Sequence, residues 1–142
     1  MVASVVGALA LPVAAYFVVG DQSTTEVANN PDYMWRPPSW SQAGVAAAGS
    51  VCVGVVVVAV AVLVRERRRQ RLADATVATV LLVAFAGLAV GGGYRVLTAG
   101  VIGANIGGGL VLLFGTPLVV ALLGVAAFVS IAARRGRGPA ER

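Results

Sequence analysis

The sequence predicts an all-α protein, an integral membrane bundle of four transmembrane helices. Three observations carry that reading. The 142 residues are 58% hydrophobic and 12% charged, with a mean hydropathy of +0.88, where soluble domains hold roughly 25% charged residues. Several apolar runs are long enough to cross a hydrocarbon layer. Nine of the eleven arginines gather in two clusters that flank those runs, as membrane topology demands.

Val2 to Val19 is an apolar run of 18 residues, enough to cross about 30 Å at 1.5 Å per residue. A secretory signal cleaved near Val13-Ala14-Ala15 is the rival reading. Nothing basic precedes Arg36, whereas a signal peptide has a basic leading region, so a retained span is preferred. Pro12 removes one intrahelical bond and is expected to kink it.

Residues 20–42 form a polar connection. Tyr33, Trp35 and Trp40 stand among Pro31, Pro37 and Pro38, and such rings favour the headgroup layer. The segment anchors the next helix; a semi-rigid docking strip is the functional alternative. Residues 43–64 are uncharged and rich in valine. Valine favours strands in water, but an isolated strand in lipid leaves its backbone groups unsatisfied. A helix is expected. Gly44, Ala48 and Cys52 form one ladder of small residues, and Ala46, Ser50 and Gly54 a second, suited to close helix contact.

Arg65-Glu66-Arg67-Arg68-Arg69-Gln70-Arg71 carries a net charge of +4 and fixes the orientation of the whole chain. Arg65, Arg67, Arg68, Arg69 and Arg71 serve as topology determinants and are positioned to attract anionic headgroups. A third span is expected over 75–91, where Gly87 and Gly91 form a GxxxG pair. Residues 91–109 contain eight glycines, and glycine costs about 1 kcal/mol relative to alanine in a helix. Residues 92–109 are therefore expected as a hairpin or partly re-entrant lid. Arg95 would reach the headgroups, Gly103 and Gly107 would continue a close-contact ladder from Ala99, and Asn105 would cap a turn or offer a polar contact. The last span is expected over 110–133, kinked at Thr116-Pro117, with a short basic tail over 134–142.

A five-span alternative divides the second half into 75–93, 96–114 and 117–133. It would export one arginine cluster, and the positive-inside rule opposes that. With four spans, residues 65–74 and 134–142 are cytoplasmic and residues 20–42 and 92–109 extracytoplasmic. The arginine-only basic set, with dominant Ala, Val and Gly, suggests a bacterial source and hence the cell membrane, and the four-span topology puts both termini in the cytoplasm.

The chemistry available is narrow. There is no histidine, no lysine and no acid deep in an apolar run, so acid–base catalysis lacks a group to use and proton-coupled transport lacks its usual carboxylate. The single Cys52 excludes an intrachain disulfide and is read as a packing residue. No phosphate-loop fingerprint follows the glycines, and no cofactor is expected. The pI near 10.7 reflects topology arginines, so nucleic acid is not an expected partner. Gly103-Ala104-Asn105-Ile106-Gly107 resembles the asparagine–glycine segment of the small four-span fluoride channels, and Gly91-Gly92-Gly93-Tyr94-Arg95 resembles their glycine-plus-arginine opening. The spacing differs, and the threonine- and phenylalanine-rich segment of those channels has no counterpart, so no functional residue is carried over.

The expected function is non-enzymatic: a subunit or scaffold that acts through helix–helix contacts with other membrane proteins or itself. A small homo-oligomeric channel or transporter is the alternative. Arg95, Asn105, Gly103, Gly107, Ser50 and Gly54 are the candidate polar and packing positions. The bilayer, including its anionic lipids, is the expected surrounding.

Overall fold

The computed structural model describes residues 2–20, 33–36, 39–100 and 104–136. Every regular element among them is helical: α1 (Val2–Val19), α2 (Gln42–Arg68), α3 (Asp74–Leu97), α4 (Ala104–Leu110), a π-helical turn (Val111–Gly115) and α5 (Thr116–Arg135). The last three join without a break, and Ile106–Arg135 forms one apolar helix of 30 residues. Four helices are thus long and apolar enough to cross a membrane.

Local chemistry sets the ends. Ser41 caps α2, its hydroxyl accepting the Gly44 N–H at 3.1 Å, a standard way of satisfying a free first-turn donor. Three arginines, Arg65, Arg67 and Arg68, occupy the last turn of α2, where positive charge suits the helix dipole. The chain reverses through Gln70 in a left-handed conformation (φ 54°). Arg67 then spans the turn, donating to the Leu72 carbonyl at 3.1 Å and pairing with Asp74 at 2.5 Å. α1 ends at Gly20, another left-handed residue (φ 70°), whose N–H returns to the Phe17 carbonyl at 3.1 Å.

The helices pack in the order α2, α1, α3, α5. α1 lies against both α2 and α3, and α3 against both α1 and α5. Among the described residues, α2 makes no backbone contact with α3 or α5, and α1 makes none with α5. α1 and α3 run in the same direction, with α2 and α5 antiparallel to them on either flank. The start of α1, the end of α2, the start of α3 and the end of α5 therefore share one end, the basic end. Trp35, Trp40, Tyr94 and Arg95 lie at the other, the aromatic end.

Small residues make the contacts. The buried apolar set is mostly alanine, with Ala14, Ala59, Ala86 and Ala126 all nearly inaccessible. Gly49 receives the Phe17 ring of α1, and a side chain at Gly49 would collide with it. Gly91 lies directly under the Pro12 carbonyl, and Gly87 faces Leu11, where a Cβ would stand 3.3 Å away. The expected Gly87–Gly91 pair is thus the α1–α3 crossing. Lipid supplies no hydrophobic drive between helices, so close approach and dispersion hold such crossings.

One expectation is corrected. The glycine-rich segment does not leave the helix at residue 91: α3 runs on through Gly91-Gly92-Gly93 to Leu97, and helix resumes at Ala104. The connection expected over 92–109 shrinks to 98–103, of which 101–103 lie outside the described residues. In an apolar medium every backbone N–H and C=O must find a partner. That requirement outweighs glycine's helix penalty of about 1 kcal/mol, and at Gly91 the missing side chain is what lets α1 approach. The last span likewise starts earlier than residue 110. A π turn immediately before Thr116-Pro117 widens the hydrogen-bond ladder where proline would otherwise crowd it.

Candidate functional site

The aromatic end holds the most connected group of polar side chains. Arg95, expected in a loop, stands in the last turn of α3. Its Nε donates to the carbonyl of Gly20, and another guanidinium nitrogen donates to the Tyr16 hydroxyl at 2.8 Å. The guanidinium carbon also lies 4.8 Å from the centre of the Tyr16 ring. Tyr16 in turn packs against Tyr94 (5.6 Å between ring centres), and Tyr94 against Trp35 (6.4 Å).

Electrostatics explains the position. α1 and α3 are parallel, so their C-terminal carbonyl dipoles converge at this end and repel. A cation there favours both termini, and Arg95 bonds directly to the chain end of α1. Thr98, only 2% exposed, closes α3 by sharing its hydroxyl between the Tyr94 and Arg95 carbonyls at 3.0 and 3.2 Å. The backbone N–H of Trp35 donates to the Leu97 carbonyl at 3.1 Å and thereby ties the tryptophan segment to α3.

Beside this cluster, α2 and α3 stand apart over α1 and leave a lateral cleft of about 420 Å³. Pro12, Tyr16 and Phe17 form its floor, Ala48 and Gly49 one wall, Gly91 and Tyr94 the other, with Trp40 at the rim. Its lining is almost wholly apolar and aromatic.

The other candidate residues distribute as follows. Gly103 lies outside the described residues, as does the Asn105 side chain, although the Asn105 backbone is helical in α4. Gly107 is in ordinary range of Val96, at 3.9 Å for a built Cβ. Its neighbour Gly108, not singled out by sequence, is the closer contact: it is buried against Met34 and Leu97. Ser50 is exposed, and a side chain at Gly54 would meet nothing within 4 Å. Both face away from α1. Among the knot arginines, Arg67 is engaged with Asp74 and Leu72, while Arg65, Arg68, Arg69 and Arg71 are exposed.

Sequence reasoning also missed an interhelical bond at the basic end. Thr79 of α3 and Ser130 of α5 lie 3.1 Å apart through their hydroxyl oxygens, and Thr79 donates to the Ala75 carbonyl at 2.8 Å. The single Thr79 proton is committed to that carbonyl, so Ser130 is the donor between the pair. The Thr79 back-bond is local to α3, but its link to a serine 51 residues away required the fold.

The architecture and its polar features define a class: a small all-α chain with four helices of membrane-crossing length. No protein-family model matches it, and no curated protein or solved structure is significantly similar.

Proposed function

We propose that this protein is a non-enzymatic subunit or scaffold of a bacterial cell membrane, which offers the outward face of α2 to another transmembrane helix. The observation that carries this reading is the placement of Ser50 and Gly54. The inward face of α2 is spent on α1 through Gly49 and Ala59. The Ala46–Ser50–Gly54 ladder points the other way, with open space over Gly54. Glycine disfavours a helix by about 1 kcal/mol relative to alanine, and Gly54 returns nothing for it within the chain. A second helix seated there would gain close backbone approach and a serine hydroxyl to bond.

The positive-inside rule supports a cytoplasmic basic end, which puts both termini in the cytoplasm and the tryptophans at the external headgroup layer. The exposed arginines of the α2–α3 turn then face anionic lipid, each contributing about 1 kcal/mol of attraction near such a surface.

The test is purification of the full chain from native membrane in mild detergent, as wild type and as Gly54→Leu. The expected result is a defined assembly, with itself or with one membrane protein, that Gly54→Leu disrupts while its melting temperature stays that of wild type. Gly124→Leu, equally open but on α5, should leave the assembly intact. An assembly indifferent to Gly54→Leu overturns the α2 face as the contact. A pure homo-oligomer that conducts ions in liposomes replaces the scaffold reading with a channel.

A further inference from the structure

A cleft at the basic end has the chemistry of an anion site. It lies on α3 between α1 and α5, two helices without backbone contact among the described residues, and encloses about 330 Å³. Ser4, Thr76, Thr79, Ser130 and Arg134 supply its polar lining, with Val5 and Val80 among the apolar residues beside them.

The donors can be assigned one by one. Thr79 and Ser130 are occupied with each other and with the Ala75 carbonyl. Ser4 and Thr76 make no side-chain hydrogen bond among the described residues, so both hydroxyl protons are available. Arg134 is exposed at the rim and has no acidic partner among the described residues. Asp74, the acid nearest in sequence, is held by Arg67 at 2.5 Å and does not line the cleft. Two hydroxyl donors and a guanidinium therefore converge, with no carboxylate in the lining.

Helix direction adds to this independently. Because α1 and α3 are parallel, both begin here. Ser4 lies in the first turn of α1 and Thr76 in the first turn of α3, where N-terminal partial charges are positive and favour anions. The parallel pair that needs a cation at its aromatic end offers an anion site at its basic end.

We infer that this cleft binds the phosphate of an anionic phospholipid, with Arg134, Thr76 and Ser4 as donors and one acyl chain lying along Val5 and Val80. A lipid fits better than a free anion because Val5, Ala75, Val80 and Ala133 share the lining with the polar groups, and Val5 is exposed on the outer surface of α1. The site is separate from the α2 face, although Thr76 also borders the groove lined by Arg67 and Arg68, and it stands if the helix-partner reading fails.

The experiment is native mass spectrometry of the purified full chain, titrated with phosphatidylglycerol, with phosphatidylcholine, and with inorganic phosphate. Phosphatidylglycerol should bind with one preferred stoichiometry, and phosphatidylcholine markedly less. Arg134→Gln should weaken that binding about fivefold or more, the scale of one arginine at an anionic surface. Ser4→Ala combined with Thr76→Val should weaken it severalfold, while Arg135→Gln, of equal charge and outside the cleft, should change it less than twofold. Helix content and melting temperature without lipid, unchanged in all variants, separate lost binding from lost folding; a loosened fold in the double variant leaves the Arg134 and Arg135 comparison to decide. Equal effects of Arg134→Gln and Arg135→Gln would reduce the interaction to diffuse charge and overturn the site. Equal binding of the two lipids would also overturn it, and so would saturation by inorganic phosphate alone, which would make this a free-anion site.

Discussion

The guanidinium of Arg95 donates to the hydroxyl of Tyr16 at 2.8 Å, and this one bond joins the ends of two parallel helices. Its companion bond to the Gly20 carbonyl lets Arg95, from the last turn of α3, cap the C-terminal end of α1. Such an arrangement is useful only where the two helices point the same way.

Tyr16→Phe and Arg95→Gln should each destabilise the chain, and the double variant should lose less than their sum. The expected coupling is about 1 kcal/mol, within the range for contacting hydrogen-bonded partners. A reversible detergent unfolding titration measures it. Additive losses would show that the two side chains act separately.

Gly91 and Gly92 are adjacent yet should respond differently. Gly91 lies under the Pro12 carbonyl, while Gly92 has open space. Gly91→Leu should cost about 1–3 kcal/mol or more, as overpacking does; Gly92→Leu should be near neutral or mildly stabilising, since leucine is the better helix former. Equal unfolding midpoints for the two would remove Gly91 from the α1–α3 crossing.

Among the described residues, the Thr79–Ser130 bond is the one side chain–side chain hydrogen bond between α3 and α5. Thr79→Val and Ser130→Ala should show a coupling of about 0.6 kcal/mol, typical of hydrogen bonds between membrane helices. Because Ser130 is the donor, Ser130→Ala leaves the Thr79 back-bond intact, and Thr79→Val strands the serine proton. Thr79→Val should therefore be the costlier of the two, and the reverse order would contradict the donor assignment.

Orientation can be read by thiol labelling in a Cys52→Ala background. A probe cysteine at Ser39 should react with an impermeant reagent in intact cells. Probes at Gln70 and Gly136 should react only after permeabilisation. Labelling of Gly136 from outside, with none at Gln70, would contradict the proposed shared placement of the two arginine clusters.

The all-α class, four helices of membrane-crossing length and the basic turn between the second and third of them were legible in the sequence. Those follow from hydropathy, run length and charge placement, which act residue by residue and do not depend on which helix meets which. The Gly87–Gly91 contact was legible for a similar reason: glycines four apart lie on one helix face wherever that face is used. The extent of α3 was not legible. Helix propensity is a local quantity, and it ended the helix at Gly91, where packing against Pro12 and the demand for satisfied backbone bonds carry it on to Leu97.

What only the tertiary structure decided is adjacency and direction. Ser50 and Gly54 look the same on paper as Gly49, but the fold turns Gly49 onto Phe17 and leaves the other two facing outward. Arg95 read as a headgroup contact until the fold placed the end of α1 beside it. Ser4, Thr76 and Arg134 are scattered over the chain, and only the parallel setting of α1 and α3, with α5 on the far flank, brings them to one cleft. Sequence periodicity fixes which face a residue occupies. Which neighbour that face meets depends on helix order and direction, and these arise from close packing between segments far apart in the chain.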